Sequence, residues 1–239
     1  MKVIINPQYN RLNSFINKIP AIFQTEGKTI YAERNVLKTF SVEGLEVVVK
    51  RYKIPHIINR IAYTFFRLTK AERAYEYALK LQKLGVETPA PIAYIEQYSC
   101  GLLTYGYFIS IFEKDYVDIR DLMDGTLKNA DLLKQLSLYI ADFQSKGVLH
   151  LDMSPGNILY KKEEDKYCFT LIDINRMHFL PSMSDELRYK SFKRLSENKE
   201  VLTEIARDYA LASHLNESES IKEIIKYSSE FFNSRRFKH

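Results

Sequence analysis

The chain has 239 residues, 46% of them hydrophobic and 27% charged, with a formal net charge of +5. That length suits one large domain or two small lobes, and the apolar content excludes a chain disordered throughout. The charge falls short of a nucleic-acid-binding signature, no uncharged apolar run approaches a membrane span, and residues 1–7 lack the apolar core of a signal peptide.

In chain order, Asn10–Lys18 reads as a short helix. From Lys28 the character becomes β-rich. Thr29–Tyr31, Val36–Phe40 and Leu45–Lys50 are short strands split by turn signals that include Glu43-Gly44. A single helical stretch from Ile57 to Leu84 follows and stops at Gly85. Between Arg51 and Lys83 it holds eight Lys or Arg against only Glu72 and Glu76, a solvated face or a patch for an anionic substrate or membrane surface. In Ile57–Leu68 the apolar side carries Ile58, Ile61, Ala62, Phe65 and Phe66. Packing of this side against the sheet is the expected role, and contact with anionic lipid the alternative. Thr88-Pro89-Ala90-Pro91 is an extended connector. Ile92–Glu96 and Gly106–Phe112 complete a five-stranded antiparallel sheet that ends near Glu113.

The second half is mainly helical. Asn129 caps a helix to Lys146, with Leu132, Leu133, Leu136, Ile140 and Phe143 on one face and Gly147 at its end. Ile158–Tyr160 and Cys168–Ile172 form a hairpin around a polar turn at residues 162–166. Helices near Asp185–Leu195, Glu200–Leu215 and Ile221–Phe232 follow, and Asn216 is placed to cap the last of them. The expected architecture is α+β, with residues 1–113 and 114–239 as separate lobes. Cys100 and Cys168 stand far apart and in no metal spacing, and read as two buried thiols of a reducing compartment, with a structural disulfide as the alternative.

The chemistry is concentrated in His150-Leu151-Asp152-Met153-Ser154-Pro155-Gly156-Asn157 and in Leu171-Ile172-Asp173. One loop supplies an Asp and an Asn five positions apart, and the next apolar strand ends in a second Asp. Phosphoryl transfer needs that set: a carboxylate to align a hydroxyl, and an amide and a carboxylate as hard oxygen donors for Mg²⁺ on nucleotide phosphates. Lys50, at the end of a Val-rich strand, adds a cation.

With Lys70-Ala71-Glu72-Arg73, Leu84–Ala93 and Asp173-Ile174-Asn175-Arg176, these residues resemble the lipopolysaccharide kinase family of the protein-kinase-like superfamily. Its members phosphorylate Kdo or heptose sugars of the lipid A inner core. The resemblance implies a two-lobed kinase-like fold with a reduced helical second lobe, and ATP and Mg²⁺ as cofactors. It makes Asp152 the base, Asn157 and Asp173 the metal ligands, and Lys50 the phosphate-gripping lysine. Glu72 is the expected partner of Lys50 on the following helix, with Glu76 one turn on as the alternative. It makes His150 a brace for the loop rather than a reacting group.

The chain departs from protein kinases in several places. Ala32-Glu33-Arg34-Asn35 stands where a Gly-rich loop would cover the phosphates, so Arg34 and Asn35 become candidate nucleotide contacts. Leu151 replaces an Arg, Ser154 a Lys, and no Ala-Pro-Glu segment follows Asp173. These features favour a glycolipid or sugar acceptor over a protein, the first choice being the Kdo of lipid A. An aminoglycoside- or choline-type phosphotransferase and a nucleotide-binding pseudokinase are the alternatives. The expected setting is cytoplasmic, with peripheral contact at the anionic inner face of the inner membrane. No nucleic acid and no obligate protein partner are expected.

Overall fold

The computed structural model describes residues 1–164 and 166–236. The chain divides at Lys114/Asp115 into two compact units.

The first unit contains β1 (Lys2–Ile5), α1 (Asn13–Ile22), β2 (Lys28–Ala32), β3 (Val36–Val42) and β4 (Leu45–Arg51). It continues with α2 (Ile57–Phe65), α3 (Lys70–Lys83), β5 (Pro91–Ser99) and β6 (Leu102–Ile111). Its antiparallel sheet runs β1-β5-β6-β4-β3-β2 and so has six strands rather than five. The extra strand is β1, whose four residues are too few to establish an alternating pattern, and which gains its place by pairing with β5. Two hairpins close on two-residue turns, Glu43-Gly44 and Cys100-Gly101, each with both residues at positive φ. That backbone matches the right-handed twist of the flanking strands.

Burial explains which residues form the sheet. One face packs Phe40, Val47, Val49, Tyr107 and Ile109 against Leu12, Ile16, Ile19 and Phe23 from α1 and the turns beside it. The other packs Tyr52, Tyr94 and Phe108 against Ala71, Tyr75 and Leu79 of α3. The centre of β5 is buried from Pro91 to Glu96, which accounts for its continuous apolar run.

The expected single helix from Ile57 to Leu84 is two helices. Phe66–Thr69 interrupt it because Thr69 caps α3, its hydroxyl accepting from the Glu72 amide at 3.1 Å. Nor does α2 bury its apolar side in the core, as expected. None of its nine residues is buried.

The second unit contains β7 (Val117–Asp118), α4 (Arg120–Asp124), α5 (Ala130–Ser145), β8 (Val148–His150), β9 (Ile158–Glu163) and β10 (Lys166–Leu171). It ends with β11 (Met177–Phe179), α6 (Asp185–Ser191), α7 (Lys199–Ser213) and α8 (Glu217–Arg236). Asn129 caps α5 by accepting from the Leu132 amide. Gly147, at φ +77°, turns the chain into β8, and a Cβ there would lie 2.1 Å from the Leu180 carbonyl oxygen. Strand β8 pairs with β11, and β9 lies between β10 and β7. The strands of the β9–β10 hairpin run longer than expected, and residue 165 of its turn lies outside the described residues.

Helix α7 packs on α5 through a buried hydrogen bond from the Tyr209 hydroxyl to Gln144 Oε1 at 2.7 Å. Helix α8 covers α7 and the short turn Phe192–Arg194. Neither cysteine is buried, contrary to expectation: Cys100 is exposed in its hairpin turn, and Cys168 is half-exposed, its Sγ donating to Glu163 Oε2 at 3.1 Å. No helix among the described residues is long and apolar enough to cross a membrane.

Candidate active site

In the second unit, Asp152, Asn157 and the peptide before Asp173 are joined in a closed ring of four hydrogen bonds. The Asp152 amide donates to His150 Nδ1 at 3.1 Å. His150 Nε2 meets the Ile172 carbonyl at 3.2 Å. The Ile172 amide donates to the Asn157 carbonyl at 3.0 Å. Asn157 Nδ2 donates to the Asp152 carbonyl at 2.8 Å. The β9–β10 hairpin makes this geometry, because Ile158 pairs with Leu171 and so places Asn157 beside Ile172.

The ring also settles the state of His150. An amide N–H can only donate, so Nδ1 must accept, and the ring proton therefore sits on Nε2 and points at the Ile172 carbonyl. Burial agrees, holding the imidazole below its ordinary pKa of 6.5, in the neutral form the ring requires. His150 is thus a brace between the loop and the strand end.

Asp173 occupies the left-handed region at φ 52°, ψ 43° and accepts from Asn175 Nδ2 at 2.7 Å. An L residue there is uncommon, and Asp tolerates it better than most. Each oxygen of Asp152 faces an arginine. Arg176 Nη1 donates to Oδ2 at 3.0 Å, whereas the buried Oδ1 is ion-paired with Arg194, Nη1 at 2.7 Å, without a hydrogen bond of good geometry. The Arg194 guanidinium in turn stands over the Phe231 ring of α8, 5.2 Å from its centroid. The loop's own Gly156 is packed against Arg120, whose Nη2 would lie 2.3 Å from an added Cβ.

In the first unit, Lys50 sits on β4 opposite Phe108 of β6, which is itself opposite Tyr94 of β5. Opposed residues share a face, so Lys50 projects on the side of the sheet that α3 covers. Its Nζ lies 5.4 Å from the Tyr52 ring centroid. The Glu72 carboxylate is held by Lys2 Nζ at 2.8 Å and by the Tyr94 hydroxyl at 2.9 Å. Burial works against both charges, but these hydrogen bonds outweigh it, lowering the Glu72 pKa and raising that of Lys2. Glu76 is exposed. Arg34 is exposed at the β2–β3 turn, whereas Asn35 is tied down locally, its Oδ1 accepting from the Lys53 amide at 3.3 Å.

Sequence reasoning did not assign Lys2, Arg194 or Arg120. Lys2 and Arg194 are revealed only by ion pairs to partners far along the chain, and Arg120 only by its packing against Gly156. Among the described residues no group of three or more His, Cys, Asp and Glu is arranged to hold a metal. Asn157 and Asp173 carry hard oxygen donors, the chemistry a cation completed by phosphate and water would take.

The model of the lipopolysaccharide kinase (Kdo/WaaP) family matches residues 39–214, most of the chain and all of the ring just described. The chain belongs to that family. It is accordingly an ATP-dependent phosphotransferase acting on an alcohol group, and a kinase of lipopolysaccharide core sugars. No curated protein matches the sequence. Among solved structures, a chain described as WaaP in complex with acyl carrier protein is similar in fold, with a TM-score of 0.62 and 16% identity. The alignment covers 100% of this chain and 98% of that one.

Proposed function

We propose that this lipopolysaccharide kinase phosphorylates a hydroxyl of the Kdo residue attached to lipid A, using ATP with Mg²⁺. The observation that supports the phosphoryl-transfer part of the reading is the hydrogen-bonded ring that holds the Asp152 loop to the peptide before Asp173, while the choice of Kdo as acceptor rests on the family. In phosphoryl transfer most of the protein's work is positioning and electrostatic stabilisation, so such rigidity is itself catalytic capital.

In this reading the Asp152 carboxylate accepts a hydrogen bond from the attacking sugar hydroxyl and aligns it, taking its proton as the oxygen–phosphorus bond to the sugar forms and the γ-phosphoryl group's bond to ADP breaks. Arg176 and Arg194 fix the carboxylate's orientation. Oδ1 is buried beside Arg194, so the hydroxyl's acceptor is Oδ2, which keeps a lone pair after accepting from Arg176. Asn157 Oδ1 and the Asp173 carboxylate would hold Mg²⁺, which when bound neutralises charge on the nucleotide phosphates. Lys50 would grip the phosphates, and Arg34 would add charge at the β2–β3 turn. Glu72 would act on Lys50 only after exchanging its present partner Lys2.

Transfer of labelled γ-phosphate from ATP to Kdo–lipid A, compared with a core acceptor whose only unmodified sugar is heptose, tests the choice of acceptor. Preferential labelling of the Kdo substrate supports it, and labelling of heptose alone overturns it. The partner named for the similar structure, acyl carrier protein, belongs to that protein. Its relevance here can be tested by adding acyl carrier protein to the same assay.

A further inference from the structure

Helix α2 is mounted inside out. Arg60 and Thr64 face the protein: Arg60 Nε donates to the Leu103 carbonyl at 2.7 Å, and the Leu103 amide donates to Thr64 Oγ1 at 3.1 Å. The same Thr64 hydroxyl donates to the Arg60 carbonyl at 2.7 Å, so the attachment to β6 is polar and directional. Its large aliphatic residues and Phe65 face outward. Ile57, Ile58, Ile61 and Phe65 are 55%, 77%, 43% and 65% exposed, and Phe66 just beyond is 81% exposed. At 3.6 residues per turn, those four helical positions fall within an arc of about 100°, one continuous stripe.

A helix with this pattern ordinarily turns its stripe to the core, and an exposed stripe of large apolar groups marks a surface that something covers. The charge around it indicates what. From Val47 to Ala71 the sequence has six Lys or Arg and no Asp or Glu. Of these, Lys53 and Arg67 are exposed beside the stripe, and His56 is exposed at its start. A second copy of the chain would set this basic rim against itself. A bilayer with anionic headgroups satisfies both features: it accepts the apolar stripe at the acyl boundary and attracts the rim.

We propose that α2 and Phe66 are a membrane-docking face that inserts into the headgroup region of an anionic bilayer. The inference stands apart from the choice of acceptor sugar, since it concerns binding to lipid alone.

Co-sedimentation of the full chain with vesicles of phosphatidylcholine, with and without phosphatidylglycerol, tests it. The chain is expected to pellet with the phosphatidylglycerol vesicles, and less so as salt is raised. A chain carrying Ile58→Ser, Phe65→Ser and Phe66→Ser is expected to bind those vesicles at least about tenfold more weakly. Its thermal melt and its transfer of phosphate to a water-soluble acceptor sugar should be unchanged, because all three side chains are exposed. A separate Lys53→Gln, Arg67→Gln chain should lose the salt-sensitive part of the binding. The proposal is overturned if the wild-type chain ignores both vesicle types, or if the triple-serine chain binds them as well as wild type. It is also overturned if the stripe instead drives a dimer in solution, or mediates binding to an acidic protein but not to vesicles.

Discussion

Arg194 Nη1 stands 2.7 Å from Asp152 Oδ1, on a side chain that is itself stacked over Phe231 of the last helix. The candidate base is therefore oriented from a helical turn 42 positions further along the chain. Its other oxygen is held by Arg176 at 3.0 Å.

Replacing Arg194 by Met should leave Asp152 tethered on one oxygen only. The expected result is a loss of about 10- to 100-fold in kcat with a smaller change in KM for ATP. Arg194→Lys should fall between, since an ammonium restores charge without the planar group that stands over Phe231. Phe231→Ala should show a milder loss of the same kind. Steady-state kinetics on the three variants, with circular dichroism as the folding control, would check the ordering. A purely structural role for Arg194 would instead lower the melting temperature with kcat intact.

His150 must be neutral for the hydrogen-bonded ring to close, and burial holds its pKa below the ordinary 6.5. A folded-state pKa below the unfolded one means that the unfolded chain binds the proton more readily. The stabilising contribution is present above about pH 6.5 and declines as pH falls below it. Melting temperatures measured from about pH 7.5 down to about pH 5 should drop for the wild type, and less steeply for His150→Gln, whose starting stability is lower. An equal slope in both proteins would show that His150 is not the group responsible.

Gly147 is poorly able to carry a side chain. Its φ of +77° strains any L residue, and the Leu180 carbonyl oxygen would lie 2.1 Å from an added Cβ. Moving Leu180 would break the hydrogen bond from its amide to the Gly147 carbonyl, 2.8 Å long, and disturb the adjoining pairing of β8 with β11. Gly147→Ala should cost at least about 2–3 kcal/mol in denaturant unfolding. A variant within about 0.5 kcal/mol of wild type would contradict this.

Thr69 has two tasks, capping α3 and donating to the buried Glu96 carboxylate at 2.6 Å. Thr69→Ala removes both, and should destabilise by about 1–2 kcal/mol for the lost cap alone, with a further cost for Glu96, which is only 1% exposed. Thr69→Ser should recover most of the loss. Equilibrium unfolding of the pair decides whether the hydroxyl or the methyl matters.

What was legible in the sequence was what local spacing determines. Asp152 and Asn157 lie in one loop, and the hairpin that follows brings Ile172 and Asp173 back beside them, so their proximity follows from the Ile158–Leu171 pairing. The caps at Asn129 and Asn216 were legible for the same reason. Partners chosen across long stretches of chain were not. Lys2 reaches Glu72 only because β1 adds to the sheet edge beside β5, and a four-residue strand leaves too short a pattern to read. Arg194 reaches Asp152 from a turn whose own neighbours give no sign of it. For α2 the periodicity showed that an apolar face exists but could not say which way it turns. Two polar side chains bonded to Leu103 decide that.

The central claim is that Asp152, held by the ring and by its two arginines, directs phosphate from ATP onto a lipopolysaccharide sugar. Mass spectrometry of Kdo–lipid A after incubation with ATP, Mg²⁺ and either wild-type protein or Asp152→Ala tests it most directly. The wild type should add one phosphoryl group at the Kdo, and the variant should add none while keeping its fold by circular dichroism. Phosphorylation that persists in the folded Asp152→Ala protein, or an acceptor left unmodified by the wild type, would contradict the account.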